Sequence, residues 1–268
     1  MEYSTGAAPD VAGSVPAVVA PVQRVEPGSA PSPVVPPFRG NLLGEARWQL
    51  ELAGLVLSGV HRGEGVRPGD GDPVLAVPGF LAGDATLAVL RAWLRRCGYR
   101  AYRSGIAWNV DCSEAAVRRL DRRLTDVAAR SGRPVTVIGH SRGGLLAHAV
   151  AVRRPSRVRQ VITLGSPLSS PFDASVLTLA AVGGARLGQN LLRPARPQCL
   201  TVDCPCAFGT DLRAAAPVPL TSIRTVEDGI VRPESCVVDG VENVAVRGSH
   251  VGLCVNSDVY REIARLLR

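Results

Sequence analysis

The stretch Val135-Thr-Val-Ile-Gly-His-Ser-Arg-Gly-Gly144 limits what this chain can fold into more than any other. Pro134 to Ile138 is a short apolar, β-branched run between Ser131-Gly132 and Gly139, the pattern of a buried strand. Leu145, Leu146, Ala149, Val150 and Val152 then recur at helical spacing as far as Arg153-Arg154-Pro155. Gly139-His140-Ser141-Arg142-Gly143 must therefore be a sharp strand-to-helix turn with Ser141 at the bend. A serine held there has an unfavourable backbone conformation, and side chains two residues before or after it would strike the adjoining helix or strand. The bare G-x-S-x-G spacing is weak, since a chain with 28 Gly produces one by chance roughly one time in five. The flanking strand and helix give it weight. It lacks the Gly-Lys-Ser/Thr ending of a phosphate-binding loop and the G-x-G-x-x-G spacing of a dinucleotide site. Ser141 is the candidate nucleophile.

Around this turn the chain alternates. Strand 73–77 leads through Pro78-Gly79-Phe80-Leu81-Ala82-Gly83 to a helix over 84–96. A strand near 100–104 precedes a helix over 113–130, and a strand over 158–164 follows the serine's helix. Residues 168 to about 216 break the rhythm, as an insertion covering a site would. Strands over 217–224 and 242–246 and a helix over 257–267 resume it. Such alternation predicts a mostly parallel sheet with helices on both faces. Ahead of it, Leu42, Leu43, Ala46, Leu50, Ala53 and Leu57 predict an amphipathic helix over 41–58, its apolar side widened by Trp48, Leu52, Leu55 and Val56. That face packs on the domain or meets a membrane surface, and a polar side poor in basic residues favours packing. Residues 1–38 are rich in Pro, Ala, Val, Ser and Gly and are expected to be disordered, leaving one domain over 39–268.

A serine hydroxyl attacks only when a base takes its proton, and an imidazole base needs a carboxylate to fix its tautomer. The chain has four histidines. His250, in Arg247-Gly-Ser-His-Val-Gly252, falls after the last strand and before the last helix, where a loop can reach back to the bend. His140 adjoins the serine but points away from it, His148 is two turns into the following helix, and His61 precedes the sheet. His250 is the candidate base. Asp228 is the candidate acid: it follows the preceding strand, and Gly229 eases a tight turn there. Glu227, Asp239 and acids of the insertion are the alternatives, and a turn Asp can also simply cap its own backbone. For the oxyanion, the candidate donors are the main-chain N–H groups of Arg142 and, from the Pro78-Gly79-Phe80 loop, of Phe80.

The net charge of +8 comes from arginine alone, and Arg118, Arg119, Arg122 and Arg123 interleave with Val117, Leu120 and Leu124 as the wet side of a helix. With 4% aromatics and no nucleic-acid motif, no nucleic-acid partner is expected. Cys199, Cys204 and Cys206 are close together, but not as paired C-x-x-C, and Asp203 or Cys236 would have to complete any site. Buried or reduced thiols are the first reading and a local disulfide the second; no metal is expected. No run is apolar enough to span a bilayer, and neither a charged start with an apolar core nor a cleavage site opens the chain. The expectation is a cytoplasmic protein, with peripheral membrane contact and oligomeric state left open.

Pro-Gly-Phe80 before the first helix of the sheet, Gly-His-Ser141-Arg-Gly-Gly, Asp228-Gly-Ile-Val and Gly-Ser-His250 follow one another in an order that resembles the α/β-hydrolases. The likeness is to actinobacterial lipase/esterase-like hydrolases of the triacylglycerol-lipase and GPI-inositol-deacylase type, over roughly residues 41 to 268. It implies an α/β-hydrolase fold with a cap-like insertion, a Ser141–Asp228–His250 triad, Phe80 and Arg142 as oxyanion donors, and ester hydrolysis without a cofactor. The expected substrate is a small-molecule ester or lipid-like compound. The same triad would serve an acyltransferase passing the acyl group to an alcohol or amine, and a hydrolase scaffold without catalysis is the third reading.

Overall fold

The computed structural model describes residues 38, 40–171, 173–192 and 206–267. The expected tail lies outside them apart from Phe38, as do Cys199, Asp203 and Cys204. Six strands form one sheet: β1 (Pro73–Val77), β2 (Arg100–Arg103), β3 (Val135–His140), β4 (Val158–Leu164), β5 (Leu220–Thr225) and β6 (Glu242–Val246). Their order across the sheet is β2-β1-β3-β4-β5-β6, and every neighbouring pair runs parallel.

Strands buried on both faces need apolar residues at odd and even positions alike, which is why the runs in β1, β3 and β4 barely alternate. Val74, Ala76, Ile138 and Ile162 turn to one face. They pack there with α1 (Trp48–Leu57), the short α2 (Gly59–Arg62), α3 (Ala88–Arg96) and α8 (Ser257–Leu266). Leu75, Val77, Val137 and Val161 turn to the other, against α4 (Ser113–Ser131) and α5 (Arg142–Arg153). Between β4 and β5 the chain adds α6 (Val176–Leu192) and α7 (Ala207–Arg213). Arg153 of α5 pins α7 to the domain, pairing with Asp211 and, on α4, Glu114 (each 2.6 Å).

Two sequence expectations need correction. The fifth strand starts at Leu220 rather than Pro217. Proline has no N–H for a ladder, so Pro219 contributes only its carbonyl, to Val161 N at 2.9 Å, before regular pairing begins. The N-terminal helix lies where expected, as a 3₁₀ turn (Leu42–Arg47) continuing into α1, but its inward face is different. Leu43, Leu50 and Leu57 are exposed, whereas Glu45 and Leu55 are buried. The surface it meets includes a row of main-chain N–H groups, so the side chain that fits is a carboxylate.

From β1 the chain crosses to β2 on one side, then returns to β3 on the other. The C-terminal ends of β1 and β3 thus flank a reversal in strand order, where open parallel sheets place their ligand crevices. In the core on the α1, α3 and α8 face, Trp93 is fully buried, packs against Tyr260 with the rings tilted by 49° (centroids 4.7 Å) and donates from Nε1 to Val60 O at 2.8 Å, joining α2, α3 and α8. Trp93→Ala is expected to lower the unfolding free energy by about 3–5 kcal/mol in denaturant titration; a loss under about 1 kcal/mol would contradict this role.

Candidate active site

Ser141 sits between β3 and α5 with φ 53° and ψ −125°, a conformation that side-chain-bearing residues rarely adopt. The packing on either side holds it. A Cβ on Gly139 would lie 2.5 Å from the backbone of Gly143 and Gly144, and one on Gly143 would lie 2.3 Å from Val77 O. These are the collisions expected from the sequence: β3 meets its own helix, and α5 meets the end of β1. Ser141 N donates to Leu164 O at 2.7 Å, fixing the bend to the last residue of β4.

His250 approaches the same strand end. Its ring lies over Gly165, where a Cβ would be 3.0 Å from Nδ1 and 3.1 Å from Cε1. Serine and imidazole therefore gather at the end of β4, and both line one cavity. Asp228, on the loop after β5, brings Oδ2 within 2.6 Å of His250 Nδ1. Both side chains are buried. A carboxylate can only accept, so Nδ1 carries the proton and Nε2 keeps its lone pair. Asp228 also caps its own turn, because Oδ1 accepts Ile230 N (2.9 Å) and Val231 N (2.7 Å). The two readings of this residue are compatible, one oxygen to each. Glu227 instead pairs with Arg47 at the surface.

Gly79, Phe80 and Arg142 line the cavity beside Ser141. A Cβ on Gly79 would lie 3.2 Å from Ser141 Cβ, so the glycine lets the 78–82 loop come against the bend. The cavity has a volume of about 1260 Å³, above the roughly 300–1,000 Å³ usual for small-ligand sites. Its walls are largely apolar and include Trp48, Leu145, Val182, Phe208 and Ile230, with Cys206 and Cys112 on the lining as well. Among the described residues, no group of three or more His, Cys, Asp or Glu side chains is placed to hold a metal ion, and no helix is long and apolar enough to cross a membrane.

A family model described as the alpha/beta hydrolase fold matches residues 112–187. Among solved structures, the chain is similar to the mature lipase BlEst2 of Bacillus licheniformis (15% identity, 73% of this chain and 91% of that one, TM-score 0.54). It is also similar to the monoacylglycerol lipase of Paleococcus ferrophilus (17%, 74% and 95%, TM-score 0.51) and a thioesterase domain from the curacin biosynthetic pathway (17%, 75% and 92%, TM-score 0.51). This chain has the α/β-hydrolase fold.

Within that α/β-hydrolase frame, two residues matter to which the sequence assigned no role. Asn109 is buried and holds the 78–82 loop, donating from Nδ2 to Pro78 O (2.7 Å) and from its main chain to Ala82 O (2.8 Å). Its own oxygens accept from the Arg142 guanidinium, which continues to Asp111 and Ser113. The Arg142 side chain thus ties the bend to the loop bearing Phe80. No motif marks Asn109, since what it holds on the 78–82 loop are main-chain carbonyls distant in sequence.

The second is His140. Its Nε2–H donates to His250 O at 3.0 Å, and the two rings stand 4.9 Å apart. Burial, helped by the nearby His250, pushes His140 down to about 3, so it stays neutral. His148 is likewise lowered by burial and bonds Ala214 O, away from the cavity, and His61 lies in α2. A histidine with a depressed folded-state pKa stabilises the fold fully above its ordinary value of 6.5, and the contribution is lost as pH falls towards 3. His140 alone should therefore lower the unfolding free energy by roughly 1–2 kcal/mol between about pH 6.5 and pH 5, with His148 adding in the same direction. His140→Asn is expected to flatten that slope in denaturant titrations; an unchanged slope would remove His140 as a contributor.

Proposed function

We propose that this protein is a serine hydrolase of carboxylic esters with an apolar acyl group, working through Ser141, His250 and Asp228. The observation that carries the reading is the buried 2.6 Å bond from His250 Nδ1–H to Asp228 Oδ2, in the cavity that also holds Ser141 at its strained bend. A buried His–Asp pair in one cavity with a serine at such a turn is costly to build, and the turn cap made by Asp228 Oδ1 does not account for the bond from Oδ2 to the imidazole.

In this reading Ser141 Oγ attacks the ester carbonyl carbon while His250 Nε2 takes its proton. Asp228 keeps the ring in the required tautomer and stabilises the imidazolium. The carbonyl π electrons move onto oxygen, and the oxyanion accepts from the N–H groups of Phe80 and Arg142. Each such donor typically contributes about 2.7–4 kcal/mol to the transition state. The intermediate collapses, the C–O bond breaks, and His250 passes the proton to the departing alcohol. Water, deprotonated by His250, then attacks the acyl-Ser141; the carboxylic acid leaves and Oγ recovers a proton. No cofactor takes part. We read α6 and α7, the described helices of the expected insertion, as a cap over this site, since they supply Val182 and Phe208 to the cavity wall. The size and apolar walls of the cavity favour an extended acyl chain over acetate.

Turnover of a p-nitrophenyl ester series tests the reading. The wild type is expected to prefer medium or long acyl chains over acetate. Ser141→Ala and His250→Ala should each lower kcat by about 10⁴-fold or more, and Asp228→Asn by about 10⁴-fold with KM little changed. Full activity in Ser141→Ala would end the proposal, and full activity in Asp228→Asn would remove that residue from it.

A further inference from the structure

We propose that Glu45, outside the triad and about 180 residues before its acid, is the positioning residue that fixes Asp228 and His250 relative to one another. The inference rests on the reading of those two residues as acid and base. Glu45 is buried in the 3₁₀ turn ahead of α1. Its Oε1 accepts Gly229 N at 2.9 Å and His250 N at 3.1 Å, and its Oε2 accepts Val251 N at 2.9 Å. One carboxylate thus holds the residue after the acid, the base itself and the residue after the base.

Those groups belong to two separate loops, one following β5 and the other following β6. The sheet fixes the strand ends, but each loop runs on beyond its last ladder bond. Besides the bond from Asp228 to His250, Glu45 is a direct link between the loops at the level of the site. Glu51 of α1 extends the hold by accepting Ser249 N at 2.7 Å, and His140 takes the other end of the residue by donating to His250 O. The base is gripped at its N–H by the N-terminal segment and at its carbonyl by the serine's neighbour.

The chemistry of the grip is specific. Burying a carboxylate costs several kcal/mol unless its oxygens are well bonded, so a buried acid at this contact argues for a demand that an apolar residue cannot meet. Here the demand comes from main-chain N–H groups facing the helix, which leucine would leave unpaired. Misplacement of a catalytic group by about 1 Å can cost on the order of 10²-fold in rate, so a loss of register between these loops should appear in turnover more than in substrate binding.

The test combines kinetics with the low-field proton resonance of the His250 Nδ1–H bonded to Asp228, assigned by its loss in His250→Ala. Glu45→Ala is expected to lower kcat for a p-nitrophenyl ester by about 100-fold with KM within about twofold, and to shift or broaden that resonance away. Glu45→Gln keeps one acceptor oxygen but turns an NH₂ towards N–H donors; it should fall between, losing about 10-fold, with a smaller shift. Leu43→Ala, exposed on the same turn, should leave both readouts unchanged. Glu45→Ala with the resonance unmoved overturns the proposal, whatever its activity. Should Glu45→Ala fail to fold, Glu45→Gln decides, and wild-type kcat with an unmoved resonance overturns it. A wild-type protein without esterase activity, whose resonance still depends on Glu45, would end the hydrolase reading while sustaining this one.

Discussion

The hydrogen bond between Asp228 and His250 is the contact around which the rest of the site is arranged. It spans two loops from neighbouring strands, and both partners are withdrawn from water. An isolated carboxylate would not survive such burial in charged form without strong compensation. Asp228 finds it by giving one oxygen to the imidazole and the other to the main chain of its own turn. The same division fixes the imidazole tautomer, leaving Nε2 as the ring nitrogen able to accept a proton.

The strained serine and the sheet beneath it are two sides of one packing solution. Parallel strands covered by helices on both faces bury Val137, Ile138, Val161 and Ile162 almost completely, so the ends of β3 and β4 are rigid. Rigidity there lets Ser141 hold φ at 53°, because bond and packing together over-determine the turn. Loops would not do this alone. The polar network through Arg142 and Asn109 carries the same constraint outward to the 78–82 loop.

The sequence revealed most of the fold because strands buried on both faces produce dense apolar runs that end at glycine or proline. The exception is instructive: β5 begins late because Pro219 cannot donate, although Pro217 and Val218 read as strand. The bend was legible too, since strand, glycine, serine, glycine and helix leave the chain one local path. The supports of the site were not. Glu45, Asn109 and His140 act on main-chain atoms more than 30 residues away, and main-chain donors and acceptors leave no side-chain signature to match. Helical periodicity then turned Leu43, Leu50 and Leu57 inward, because an apolar stripe is the usual inward face. The surface that the helix actually covers includes N–H groups waiting for a carboxylate.

The central claim is that one hydroxyl in this chain is unusually nucleophilic because of where it is held. Treating the intact protein with a fluorophosphonate and mapping the adduct by peptide mass spectrometry tests it most directly. The expected result is a single adduct per chain, on the peptide containing Ser141, forming far more slowly once His250 is replaced by alanine. Adducts scattered over other serines, or a Ser141 that reacts equally well without the imidazole, would contradict it.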